Sequence, residues 1–218
     1  MRTVGRLFCA SLLAIAVSGG CGHGPDREPD AGLKTEISME EAIAMGADEA
    51  RTRDEGLRLT RIHSYDNDSI RSAAAGADGR RQWWVVRFGG EDGRRMDAIL
   101  CDGAVVAVET ADADGCDAPI DMARVKLTAA EAVAAAAKLG LRGGNPACED
   151  EWVSGYNFRL SSTASEESGG RRIVLEVIGI SPAGNFAYTD FDAETCELLS
   201  AEEKIERCGE EVRWADFR

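Results

Sequence analysis

The sequence predicts an α+β protein made of two tandem helix-on-antiparallel-sheet domains behind an export leader. Three observations predict it: a segment repeated at a fixed offset, β-rich runs after each copy, and an apolar N-terminus ending in a cysteine. The repeat comes first, because a fixed internal period bounds the architecture. Ile37-Ser38-Met39-Glu40-Glu41-Ala42-Ile43 matches Leu127-Thr128-Ala129-Ala130-Glu131-Ala132-Val133 at an offset of ninety. Each copy opens with a capping box, Ser38 with Glu41 and Thr128 with Glu131. The hydroxyl accepts from a first-turn backbone N–H, and the glutamate accepts from the cap residue. Ile37 and Leu127 stand where a hydrophobic staple sits. Apolar residues then recur at helical spacing: Met39, Ala42, Ile43 and Ala50, and again Val133, Ala136 and Ala137. These stripes are narrow and small, which suits a helix lying close to a sheet.

The strands follow. Arg81 to Gly89 aligns at the same offset with Arg171 to Gly179, and both are rich in β-branched or aromatic residues. Each ends in turn residues, Gly89-Gly90-Glu91-Asp92-Gly93 and Ser181-Pro182-Ala183-Gly184. Met96 to Leu100 and Asn185 to Phe191 read as the next strands. Val105 to Glu109 and Glu197 to Ser200 read as the last. An earlier strand is expected at Leu57 to Tyr65 in the first copy. In the second it is expected around Trp152 to Leu160, where Trp152, Tyr156, Phe158 and Leu160 alternate with more polar neighbours. Each unit is thus a helix and about four strands in meander order.

The N-terminus carries Arg2 and Arg6, an uncharged apolar run from Leu7 to Val17, then Ser18, Gly19, Gly20 and Cys21. The run has signal-peptide length and is too short for a permanent span. The ending resembles the lipobox of bacterial lipoproteins, with Ser18 where an aliphatic residue is usual. On that resemblance Cys21 is the lipid attachment site, acylated by chains such as palmitate, and several chains together anchor a protein stably. The other reading is an ordinary signal peptide with Cys21 a plain thiol. Gly22 is not an acidic retention residue, which favours the outer membrane, facing the periplasm or the cell surface. The organisation read from these features is a leader over 1–20, a flexible tether over 21–34, a first repeat over 35–110, an acidic linker over 111–124 and a second repeat over 125–218.

The formal charge is −14, and the leader carries only positive residues, so the remainder is more acidic still. Such a surface repels phosphate backbones and disfavours nucleic acid. Hydrophobic residues at 44% support a packed core.

The repeat pattern resembles the PepSY family. That family opens with a helix of the type I-S-x-x-E-A-I, matched by Ile37-Ser38…Glu41-Ala42-Ile43 and by Leu127-Thr128…Glu131-Ala132-Val133. It closes with a strand and turn of the type D-x-x-T-G-E-[VIL], matched by Asp190 to Leu199 and, in degenerate form, by Asp97 to Val106. The resemblance covers most of residues 36–205. Cys196 departs from it, standing where the turn glycine is usual. The resemblance implies a cystatin-like fold and a non-catalytic role, with inhibition or chaperoning of a peptidase as the best-known case.

Beyond Cys9 and Cys21 there are five cysteines. By repeat logic Cys101 pairs with Cys116 and Cys196 with Cys208, leaving Cys148 over; other pairings of five cysteines stay open. An exported chain reaches a disulfide-permissive compartment. No spacing suggests zinc or a redox C-x-x-C, and no cofactor is expected. Thr110 to Asp121 has the outline of a calcium loop but ends in Asp, and reads better as solvated linker. His63 reads as a sheet-edge histidine and His23 as part of the tether. The acidic runs Glu149-Asp150-Glu151 and Glu166-Glu167 read as solvated loops. Of the adjacent Trp83 and Trp84, one belongs in the core. The other is a candidate anchor for a partner, or packs under a loop or the other repeat. The expectation is a non-catalytic envelope lipoprotein that binds a protein partner, with modulation or inhibition of a peptidase as one such role. The alternative is a structural or assembly lipoprotein without inhibitory role.

Overall fold

The structure is a computed structural model that describes residues 35–64, 74–112, 118–144, 154–164, 170–205 and 213–217. In chain order the elements are β1 (Ile37–Ser38), α1 (Met39–Arg53), β2 (Arg58–Ser64), β3 (Arg80–Arg81), β4 (Trp83–Gly89), β5 (Arg94–Cys101) and β6 (Ala104–Asp112). A 3-10 turn (Met122–Arg124) leads to α2 (Ala129–Lys138), β7 (Asn157–Ala164), β8 (Arg171–Ile180), β9 (Phe186–Asp192), β10 (Leu198–Ile205) and β11 (Arg213–Asp216).

Both helices start where the capping boxes place them. Ser38 Oγ accepts from Glu41 N–H at 3.2 Å, and the Glu41 carboxylate accepts from Ser38 N–H at 2.7 Å. Thr128 and Glu131 repeat this at 3.3 and 3.0 Å. These reciprocal bonds satisfy donors that a helix start leaves open. Ile37 and Leu127, the staple residues, are buried. Gly46 lets α1 lie close to the sheet: a Cβ there would stand 3.1 Å from Val86 Cβ and 3.2 Å from Phe88 Cε2. Gly140, after α2, has φ +100, a conformation glycine adopts without the clash of a side chain.

The expected pair of domains, each with its own sheet, is not what forms. Nine strands make one antiparallel sheet in the order β11-β10-β9-β8-β7-β2-β4-β5-β6, β1 and β3 pair separately, and the described residues belong to one compact unit. The α+β arrangement of two helix-on-sheet domains is thereby corrected to a mostly antiparallel sheet carrying two helices. The reason lies in the first strand of each meander. Alone, β2 and β7 would each offer an open edge of backbone donors and acceptors. Instead they pair with each other, Arg61 opposite Ser161, Ile62 opposite Leu160 and His63 opposite Arg159.

Several contacts lock this junction. Trp84 stacks on Phe158 with ring centroids 6.0 Å apart, and both side chains are fully buried. The Ser64 hydroxyl donates to Asn157 Oδ1 at 2.7 Å and accepts from Phe158 N–H at 2.9 Å. Buried Arg81 donates to the carbonyls of Ser154 and Tyr156 at 2.8 and 3.1 Å. One apolar cluster therefore runs from Met39 and Val86 through Phe158 to Leu175 and Phe191. The expected acidic linker is likewise docked where it is described. Ile120 is buried and its N–H donates to Leu59 O at 2.7 Å; just beyond the linker the backbone N–H groups of Lys126 and Leu127 donate to Ala193 O.

The offset of ninety holds for the capping boxes but not for the strands. The core face of β4 is Trp84, Val86 and Phe88; that of β8 is Ile173, Leu175 and Val177. At ninety, Val86 would align with Glu176, which lies on the opposite face paired with Arg159. β4 and β8 thus correspond one residue out of phase with the helices, and a one-residue slip exchanges the two faces of a strand. The strand expected around Trp152 begins at Asn157, and residues 145–153 lie outside the described residues. β1, β3 and β11 were not anticipated from the sequence.

Candidate partner-binding surface

Three features of the sheet carry chemistry that packing alone does not use: an edge strand, a charged strip, and an aromatic patch. Among the described residues β6 ends the sheet, paired only with β5. Its residues are Ala104, Val105, Val106, Ala107, Val108, Glu109, Thr110, Ala111 and Asp112, without lysine or proline. Val105 and Val108 are half-buried against the core; the others are exposed, Val106 by 55%. The register shifts between Ile99 and Leu100, which places a bulge near Val106. From Ala107 to Asp112 the strand runs in regular register, β-branched in part and acidic at Glu109 and Asp112. Such an edge can accept a further strand.

Both helices lie on one face of the sheet. The opposite face carries a strip of charge across the junction. In one row Arg61, Arg87, Asp97 and Glu109 are successive cross-strand neighbours. In the next, His63, Arg159, Glu176 and Asp190 follow each other. Arg87 grips Asp97 through two bonds of 2.8 and 2.9 Å, and Arg159 reaches Glu176 at 2.5 Å. His63 sits on an inner strand between β7 and β4, not at the sheet edge expected for it. Its pKa is pushed down to about 4. Burial is the main cause, and Arg87, Arg61 and Arg159 add to it while Asp97 opposes them.

Trp83 and Trp84 divide as adjacent strand residues must. Trp84 is the core member, fully buried, with its indole N–H donating to Ile37 O at 3.1 Å. Trp83 lies on the charged face and is half-buried. Among the described residues the exposed tryptophan is Trp214 of β11, 38% exposed, with its ring 5.2 Å from Tyr188 and 6.1 Å from Phe186. A four-residue strand between charged residues leaves too short a period to be read from sequence, which is why Trp214 was missed.

The remaining candidates are placed as follows. Cys101 is half-buried at the end of β5, and Cys196 is exposed in a turn with φ 64. No disulfide joins described residues; the expected partners Cys116 and Cys208, the spare Cys148 and the lipid-site Cys21 lie outside them. Of the calcium-loop outline, Asp121 caps the 3-10 turn by accepting from Ala123 N–H at 3.0 Å, while residues 113–117 lie outside the described residues. Among the described residues no cluster of His, Cys, Asp and Glu could hold a metal ion. The acidic runs at 149–151 and 166–167 and His23 also lie outside. Ser181 to Gly184 is a hairpin turn, Ser181 N–H donating to Asn185 O at 2.9 Å. Among the described residues no helix is long and apolar enough to cross a membrane. Compared with protein-family models, with curated proteins and with solved structures, the chain found no match.

Proposed function

We propose that this chain is a non-catalytic lipoprotein of the bacterial envelope, anchored through Cys21, that binds an extended segment of a protein partner along β6. The observation that carries the reading is the edge itself. Among the described residues β6, nine residues long, ends the sheet and is exposed over most of its length. Natural sheets usually blunt such an edge with lysine, proline or a covering element. Here the bulge at Val106 interrupts only the start, leaving Ala107–Asp112 able to form ladder hydrogen bonds. Glu109 and Asp112 favour a segment with basic residues. A relation to the PepSY proteins stays part of the proposal, supported by the two capping boxes; a peptidase is the partner class that relation suggests.

The experiment is affinity capture from envelope extract, comparing the protein with Val106→Lys and Glu109→Lys variants. A partner held by the parent and lost from both variants supports the edge reading. Any captured peptidase is then assayed with and without added protein. A partner retained equally by all three proteins refutes binding along β6.

A further inference from the structure

The open side of β6 has two different faces, and each selects a different side chain. Residues opposite one another in a sheet share a face, so the register with β5 sorts β6 into its two sides. Ala98 pairs with Val108 and Met96 with Thr110, and both β5 residues are buried on the helix side. Val108 is therefore on the helix side, half-buried against the core. The flank of α1 on that side is apolar too. Ala47 lines a cleft with Leu59 of β2, and Met45, two residues earlier, is about 200° around the helix from it. Met45 thus lies on the flank nearer β6, where it is half-buried, and α1 itself lies against β6. The other face is set by charge. Asp97 and Glu109 stand directly opposite each other, and like charges so placed repel. Asp97 is already matched: Arg87 holds both its oxygens, at 2.8 and 2.9 Å, and Arg95 lies 3.7 Å away. Among the described residues Glu109 makes no ion pair. The row runs Arg61, Arg87, Asp97, Glu109, two cations and then two acids, and its next position outward is open.

We propose that the segment received along β6 is a two-faced strand, with a basic residue beside Glu109 and apolar residues immediately before and after it, beside Val108 and Thr110. The inference rests on the edge reading of β6 given above and adds the chemistry that the edge selects. In an extended chain the neighbours of the basic residue point to the opposite face, here the helix side, where Val108 and Met45 leave apolar surface to cover. The basic residue continues the charged row and offsets the repulsion between Asp97 and Glu109. Because the pattern is symmetric about the basic residue, it holds for a parallel or an antiparallel strand. A uniformly basic or uniformly apolar segment satisfies one face and leaves the other unmatched.

Two labelled synthetic peptides of one composition, a central lysine with two valines in a threonine background, separate these demands. In the matched peptide the valines adjoin the lysine. In the control a threonine separates each valine from it, so that valines and lysine share one face in every register. Binding to the full chain is followed by fluorescence anisotropy, and amide exchange across Ala107–Asp112 by NMR. The matched peptide should bind saturably, slow exchange along β6, and exceed the control at least about fivefold in affinity. The matched peptide should bind Glu109→Lys more weakly than the parent, and a version with glutamate in place of its lysine should bind that variant more tightly than the parent. Slowed exchange with equal affinity for the two peptides keeps the edge reading and overturns this inference. Binding without slowed exchange, or no binding of either peptide, overturns both. A parent that sediments as a dimer with β6 exchange already slowed, both lost in Glu109→Lys, makes a second copy the occupant and overturns the inference.

Discussion

If one sheet and one core join the two repeats, a cavity at their junction should weaken both together. Phe158→Ala makes that cavity. Phe158 is fully buried in the first strand of the second repeat, and its ring stacks on Trp84 of the first. Truncating a buried phenylalanine costs about 3–5 kcal/mol, combining lost burial with the cavity left behind. Part of that total is the stacking itself, roughly 0.5–1.5 kcal/mol. A loss of about 4 kcal/mol is a large share of the roughly 5–15 kcal/mol that holds a typical domain. The assay is urea unfolding followed by both tryptophan fluorescence and far-ultraviolet circular dichroism. The two probes should give one coincident transition in the parent protein and one in the variant, the latter at lower urea. A variant that unfolds in two steps, with one of the two probes keeping the parent midpoint, would refute the joined-sheet reasoning.

Three further outcomes follow from particular residues. His63 has a folded pKa of about 4 against an ordinary 6.5, so the unfolded chain takes up its proton first as pH falls. The stability it contributes is present above 6.5, declines as pH drops from 6.5 to 4, and is gone below that, a swing of about 3 kcal/mol at roughly 1.4 kcal/mol per unit. His63→Gln should remove that decline, and parallel pH–stability curves for the two proteins would contradict it. Ser38→Ala and Thr128→Ala should each lower stability by about 1 kcal/mol in denaturant titration. The backbone bonds from Ser38 and Thr128 hold Glu41 and Glu131 below their ordinary 4.5. Their contribution is therefore present above 4.5 and lost as pH falls through the lowered values; Glu131→Gln should flatten that acid limb, and an unchanged limb would count against it. Gly46→Leu should cost about 2–3 kcal/mol in thermal unfolding, because its side chain meets Val86 and Phe88 where no room exists.

Much of the local structure was legible in the sequence. The capping boxes located both helix starts, because cap chemistry depends on residues three apart. Alternation and β-branching located β4, β5, β8 and β9 to within a few residues, because side-chain direction in a strand follows from neighbours in the chain. The faces of those strands were less legible. Aligning the repeats at ninety put Val86 on Glu176, since motif spacing says nothing of the loop lengths that set strand phase. His63 was misplaced for a related reason: an edge and an inner strand share the same local pattern, and only pairing distinguishes them.

The sequence by itself determined that there are two related units, each a capped helix followed by a meander, on a strongly acidic chain whose N-terminus has the form of an export leader. Only the tertiary structure decided that the units share one sheet. That choice rests on the pairing of β2 with β7, residues about a hundred positions apart, whose backbone bonds and the Trp84–Phe158 stack have no local signature. The same pairing puts His63 on an inner strand opposite Arg159, with Arg61 on the same face of that strand.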